Sequence, residues 1–238
     1  MSELLVWFIR HAESESNAGL ATSDTALTPL TPKGMAQARR FAQLFSRPPS
    51  LIVTSAYRRS QQTAQPLMER FPAVPQEVWP VHEFAYLARF RGQVTIPQQR
   101  RPTAEAYWQR CDPFYRESEN GETFAELTQR VQATLDRLRQ QESGFVAVFG
   151  HGNFMRVMYW ALFTGSFEVS AERMQQFRAA RLMFKVPHTA IIKLRFDAEG
   201  LWFSQIITAH IVEEAAPAAR TSRSTAPPQP VVDTLEAE

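Results

Sequence analysis

Leu4-Leu5-Val6-Trp7-Phe8-Ile9-Arg10-His11-Ala12-Glu13-Ser14 is the stretch that decides the fold. Its first six residues are apolar without alternation, the pattern of a short strand buried on both faces. The run turns polar at Arg10-His11, where the strand gives way to a loop. In an open parallel sheet, ligands bind just beyond the carboxyl ends of the strands. A histidine there can attack phosphorus, and an arginine beside it can hold phosphate oxygens.

The same pattern recurs. Residues 51–53 and 145–149 are short apolar runs that end in Thr54-Ser55 and in Gly150-His151-Gly152-Asn153. Between them lie helical periods. Thr31-Pro32 opens a helix as N-cap and first helical residue; Met35, Ala38, Ala42 and Phe45 follow at helical spacing, and Pro48-Pro49 stops it. Ser55 is the expected cap of a second helix over 56–70, with Tyr57, Ser60, Ala64 and Leu67 facing inward. Thr123 and Glu126 form a capping box ahead of the amphipathic series Phe124, Leu127, Val131, Leu135 and Leu138. A further helix after His151 is expected to reach about residue 163. Residues 77–81 read as a short third strand, and 190–196 with 201–207 as a closing antiparallel hairpin. Strands alternating with helices predict an α/β fold, a three-layer αβα sandwich around a mostly parallel sheet. Residues 84–121, interrupted by Pro97, Pro102 and Pro113, are a connection long enough to suggest function. They are expected to form a helical lid insertion, with a short helix near 103–111. A single domain is expected over 1–212. Residues 213–238, rich in Ala, Pro, Ser, Thr and Arg, are expected to stay disordered, because so few apolar groups cannot offset the entropy of ordering.

The chain has 238 residues, 44% hydrophobic and 21% charged, a globular balance with enough length for a sizeable core. A formal net charge of +2 makes no electrostatic case for nucleic acid or a membrane surface. The one cysteine, Cys111, excludes an intramolecular disulfide and a cysteine-built metal cluster, and fits a reducing compartment. Met1-Ser2-Glu3-Leu4-Leu5 lacks a basic leader, and no run approaches the roughly 18 apolar residues of a membrane helix. The expectation is a cytoplasmic protein with neither nucleic acid nor membrane as partner. The oligomeric state is left open, a dimer included.

If the sheet is parallel, the groups just past each strand converge: Arg10 and His11; Thr54, Ser55 and Arg58; Glu83; and Gly150 to Asn153. Two imidazoles, two guanidiniums and a carboxyl group on one edge exceed what packing needs. Arg10-His11-Ala12-Glu13-Ser14 with Asn17, Leu30-Thr31-Pro32-Lys33-Gly34, Thr54-Ser55-Ala56-Tyr57-Arg58-Arg59-Ser60-Gln61-Gln62-Thr63-Ala64, Glu83 and Gly150-His151-Gly152 resemble the histidine phosphatase superfamily, also called phosphoglycerate mutase-like. The resemblance covers residues 4–207, with its five motifs in the family's order. Ala12 and Ala56 stand where Gly and Pro are frequent, and are minor departures.

The resemblance implies roles. His11 is the nucleophile that forms a phosphohistidine; its other ring nitrogen must donate to a fixed acceptor so that the attacking nitrogen carries a lone pair. Arg10, Arg58 and a protonated His151 surround the transferring group, and Asn17 and Gly152 belong to the phosphate-binding set. Glu83 is the general acid, preferred over Glu77 by the resemblance alone. Beside these, Arg59 reads as a solvated helix residue and His188 as an ordinary loop residue. Thr54 and Ser55 serve as caps as readily as ligands, and Glu122 and Arg130 read as structural ions. Arg89, Arg91, Arg100 and Arg101 make the lid basic, which is either a solvated loop or a sieve for anionic substrates. No cofactor and no metal is implied, since His, Asp and Glu do not occur at metal-ligand spacings.

The leading expectation is a phosphatase hydrolysing a small phosphomonoester. The alternatives are a cofactor-dependent phosphoglycerate mutase and a non-catalytic phospho-ligand binding protein. Mutases of the family follow the acid with Arg-His-Tyr-Gly and carry a Gly-Leu-Asn-Lys element. Here Glu83 precedes Phe84-Ala85-Tyr86-Leu87-Ala88-Arg89, which argues for hydrolysis.

Overall fold

A computed structural model describes residues 3–211; the expected tail at 213–238 lies outside the described residues. Strands β1 (Leu4–Arg10), β2 (Leu51–Thr54), β3 (Gln76–Val78), β4 (Gly144–Gly150), β5 (Ile191–Asp197) and β6 (Gly200–Phe203) form one sheet in the order β3-β2-β4-β1-β5-β6. The first four are parallel, β5 pairs antiparallel with β1, and β6 closes the sheet antiparallel to β5. The helices are α1 (Pro32–Ala42), α2 (Arg58–Arg70), α3 (Pro97–Arg110), α4 (Phe124–Arg139), α5 (Gly152–Thr164) and α6 (Ala171–Ala180). Among the described residues no helix is long and apolar enough to cross a membrane.

Two cores explain the unbroken apolar strands. On one face Ile9, Ile52, Ala147 and Phe149 pack with Phe41 and Ala42 of α1, Phe45, and Ala64 and Leu67 of α2. On the other, Val6, Phe8, Val146 and Val148 pack with Leu127, Val131 and Leu135 of α4 and Phe154, Met155 and Met158 of α5. These side chains are buried, and each contributes roughly 1.5–3 kcal/mol on leaving water. The expected three-layer sandwich is the observed one.

Several boundaries differ from expectation. The third strand is Gln76–Val78, exposed along its whole length at the sheet edge, so it lacks the burial that an apolar run would signal. Helix α2 starts at Arg58 behind Tyr57, with no side-chain cap; the Ser55 hydroxyl instead accepts from Tyr57 N–H at 3.2 Å and lies 2.7 Å from His151 Nε2. Helix α3 is longer than the expected 103–111: Pro97 occupies its first turn and Pro102 is tolerated inside. Helix α6, with Met174 and Phe177 as its buried residues, has too narrow an apolar stripe to be read from sequence. The 84–121 segment joins the main core through Phe84, Tyr107 and Trp108.

One contact fixes the loop that follows β1. The Glu13 carbonyl accepts from Thr31 N–H at 3.0 Å, and the Glu13 N–H donates to Gln37 Oε1 at 2.9 Å. Gly34 lies against this loop so closely that an added Cβ would sit 2.0 Å from the Glu13 carbonyl oxygen. Gly34→Ala is therefore expected to destabilise the protein by roughly 1–3 kcal/mol through backbone displacement. An unchanged denaturant midpoint would show that the loop is not held by this approach.

Candidate active site

The parallel register places Arg10 opposite Gly150, and His11 N–H donates to the Gly150 carbonyl at 3.0 Å. The next residue on each strand is a histidine, and the rings of His11 and His151 stand 5.0 Å apart, centroid to centroid. Both are buried. His11 Nδ1 lies 2.7 Å from the Ala12 carbonyl oxygen. A carbonyl can only accept, so Nδ1 carries the hydrogen and Nε2 the lone pair. That lone pair accepts from Arg59 Nε at 3.1 Å.

Arg59, not Arg58, is the guanidinium at the site. Helix α2 buries Arg59, Ser60, Thr63, Ala64 and Leu67. At 100° per residue, Arg58 projects roughly opposite the Ser60, Ala64 and Leu67 face and is exposed. Arg59 also donates to the Thr25 carbonyl, and its guanidinium lies 4.9 Å from the centre of the Tyr57 ring. The assignment of Arg58 to catalysis and substrate binding is thus corrected. Thr63 joins the assembly as well, its Oγ1 accepting from Ala12 N–H at 3.0 Å.

The other expected residues divide. Arg10 donates to the Val186 carbonyl at 2.5 Å and keeps a buried Nε without a partner. Gly152 opens α5, and a Cβ there would lie 3.5 Å from Arg10 Nε, so the glycine leaves room for that guanidinium. Glu83 Oε1 accepts from Asn153 N–H at 3.0 Å and from its neighbour Phe84 N–H at 2.9 Å. The carboxyl group therefore sits at the N-terminus of α5, where the helix dipole favours negative charge, and Oε2 is left for proton traffic. Asn17 is exposed, and its Oδ1 accepts from the Ser14 hydroxyl at 2.8 Å; its oxygen serves the loop. Glu77, the alternative carboxylate, pairs with Arg137 at 2.7 Å and accepts from Trp79 Nε1, away from the site.

Sequence reasoning missed two groups. Arg156 stands one helical turn after Gly152, with Nη1 3.1 Å from the position of a Cβ on that glycine. His188 lies 6.1 Å from His11, ring to ring, and its Nε2 is buried without a partner. Arg156 was accessible from its i+4 spacing; His188 was not, because it arrives on the loop before an antiparallel strand. With His151 Nδ1 and Arg10 Nε, three buried polar atoms around His11 lack a partner. Buried polar groups are usually satisfied, and an oxygen-rich anion would satisfy these.

Burial, then Arg59 and Arg10, hold His11 well below the ordinary histidine range; burial, then Arg59, do the same for His151. His151 is therefore neutral in the free protein rather than the protonated donor expected. It can still donate through Nδ1 when Ser55 Oγ, 2.7 Å away, gives its hydrogen to Nε2. His82, depressed to about 4 by burial and Arg130, and His188, depressed to about 4 by burial and Arg10, follow the same direction. A histidine with a lowered folded pKa is protonated first in the unfolded chain, so its contribution to stability is lost as pH falls below about 6.5. The unfolding free energy from denaturant titration is expected to fall steeply from pH 6.5 to 4, by up to about 1.4 kcal/mol per pH unit for each such imidazole, and the midpoint with it. A flat midpoint over that range would contradict burial of neutral rings.

The comparisons agree with this geometry. The family model described as histidine phosphatase superfamily (branch 1) matches residues 6–206. The adenosylcobalamin/alpha-ribazole phosphatase of Salmonella typhimurium is 32% identical over 143 residues, 56% of this chain and 66% of the relative; the match thus spans slightly under two thirds of that protein's length. Among solved structures, a putative alpha-ribazole-5'-P phosphatase from Escherichia coli K-12 superposes with a TM-score of 0.66 at 24% identity, over 89% of this chain and 99% of the other. A phosphoserine phosphatase mutant from Entamoeba histolytica, in complex with phosphoserine, gives 0.66 at 18% identity, over 89% and 100%. From the matched span and the strand-edge geometry together, the chain belongs to the histidine phosphatase superfamily, branch 1.

Proposed function

We propose that the chain hydrolyses a small phosphomonoester through a phosphohistidine. The observation that carries this reading is the His11 Nδ1 contact with the Ala12 carbonyl at 2.7 Å, which directs the Nε2 lone pair outward among cations. Nε2 attacks phosphorus while the bond to the ester oxygen breaks, and Glu83 gives its proton to that oxygen. Arg59 stands on Nε2 and can turn its N–H to a phosphoryl oxygen as the attack begins. Arg10 Nε and His151 Nδ1, both buried and unpartnered, take the remaining charge as preorganised donors. Glu83 then accepts a proton from water, the oxygen attacks phosphorus, and the P–N electron pair returns to Nε2. The chemistry needs no metal, because guanidinium and imidazole donors hold the charge. The single cysteine supports a reducing, cytoplasmic setting.

A phosphohistidine survives alkali and is lost in acid. With isotopically labelled substrate and a chelator present, quenching in alkali is expected to leave label on the peptide containing His11, and quenching in acid to remove it. Turnover without trapped label would overturn the covalent route. Label passing to a second hydroxyl instead of water would identify a mutase.

A further inference from the structure

The lid is not the cationic sieve that its composition suggested. Arg89 pairs with the buried Glu117, and Arg101 with Glu105 at 2.6 Å. Arg100 donates to Thr95 and Thr22 and, at 3.0 Å, to Ser16 Oγ, so it staples the lid to the loop after β1. The same two segments meet through Thr22 and Thr95, which exchange backbone hydrogen bonds of 3.0 and 3.1 Å, and through Gly92 N–H to the Ser23 carbonyl at 2.8 Å.

Between them lies a cavity of about 110 Å³ lined by Phe84, Tyr86, Leu87 and Phe90, with Thr25 and Arg91 among its other lining residues. We infer that this cavity binds a planar ring carried by the leaving alcohol of the substrate. The inference rests on the hydrolase reading above and adds the chemistry of the group that leaves.

Position argues for it. Phe84 follows Glu83 directly, and its N–H bonds that carboxylate at 2.9 Å. Thr25 bonds Arg59 through its carbonyl. The cavity is therefore walled by the residue next to Glu83 and by a residue bonded to Arg59. Whatever is attached to the leaving oxygen lies on the Glu83 side, next to the cavity. The lining argues likewise, since aromatic walls favour offset or edge contacts with a ring. Phe84 and Tyr86 are stacked at 4.7 Å, Tyr86 is held by Trp108 Nε1 at 3.3 Å, and this wall is thus built before any ligand arrives. Small polar alcohols would leave it unfilled. Arg91 is exposed and pairs with no carboxylate among the described residues, so a ring bearing an anionic substituent suits the rim.

Binding of two phosphonates, which cannot be hydrolysed, tests this apart from turnover. Ethylphosphonate fills the phosphate site only; 2-phenylethylphosphonate adds a ring on a two-carbon tether. Calorimetric titration of the wild-type protein is expected to give a Kd about 10- to 100-fold lower for the ring compound, the range for burying one phenyl group. Phe90→Ala should reduce that ratio several-fold. Ala88→Leu, which narrows the cavity from a half-buried position, should do so from the other side and guards against a folding defect in the first variant. Equal affinities for the two compounds would overturn the ring site and leave the hydrolase reading standing. No binding of either, with no trapped phosphoenzyme, would overturn the hydrolase reading and the ring site with it.

Discussion

Replacing His11 with alanine is expected to abolish phosphomonoester turnover, with kcat/KM falling at least about 10⁴-fold, the scale on which loss of a nucleophile acts. The protein is expected to remain folded, because the variant removes a buried neutral imidazole and with it the acid-sensitive burial of a titratable ring. Arg59→Ala falls next, by about 10²–10³-fold, the cost of one preorganised donor. Arg58→Ala should stay within about threefold of wild type, since an exposed residue away from special contacts contributes little. The order of the two arginine variants is the informative result. A collapse at Arg58 with Arg59 tolerated would reverse the helix phase that places Arg59 Nε 3.1 Å from His11 Nε2.

Arg130→Ala costs about 3–5 kcal/mol of stability and lowers kcat more than it raises KM. Arg130 makes a forked pair with Glu122, at 2.9 and 3.0 Å, and donates to the Pro80 and His82 carbonyls at 2.7 and 2.9 Å. Glu122 in turn accepts from Ala85 N–H at 3.0 Å. The pair therefore clamps the backbone on both sides of Glu83, with side chains only 11% and 10% exposed. Deleting the arginine strands a buried carboxylate and frees Glu83, the proposed general acid, which is a positioning fault and is read in kcat. Burial already raises Glu122 above the ordinary carboxyl range, with Arg130 opposing the rise. Without Arg130 it rises further, so the folded variant binds the proton first and regains stability as pH falls towards the ordinary value. Glu122→Gln together with Arg130→Met should recover most of the lost stability, since replacing both members leaves no stranded charge, while kcat stays low. A loss under about 1 kcal/mol, or an unchanged kcat, would overturn the clamp.

The fold was legible where burial on two sides leaves a composition without alternation. Residues 4–9, 51–53 and 145–149 are such runs, and they became the three central parallel strands β1, β2 and β4. The Thr123–Glu126 capping box was legible because both partners lie within one turn, and both of its hydrogen bonds form. The weak elements were less legible for the converse reason. β3 was read as a strand but with displaced bounds, because it is exposed along its edge, and α6 buries only Met174 and Phe177, too narrow an apolar stripe to read.

His11, His151 and Arg10 were legible in the sequence, because each stands at the end of an apolar run and parallel strands bring such ends to one edge; Glu83 came from the resemblance alone, since β3 ends at Val78, well before it. Tertiary structure decided three things. It chose between Arg58 and Arg59, adjacent side chains separated by 100° around a helix whose first turn begins two residues later than its capping chemistry suggested. It brought Arg156 from a helix interior to the Gly152–Arg10 corner and His188 from an antiparallel connection to His11. And it turned a basic lid into an aromatic chamber, because whether an arginine is available depends on the carboxylates and hydroxyls that fold against it. Glu117 and Ser16 meet Arg89 and Arg100 only in three dimensions, while the rings of Phe84, Tyr86 and Phe90, scattered two and four residues apart, come to line one wall.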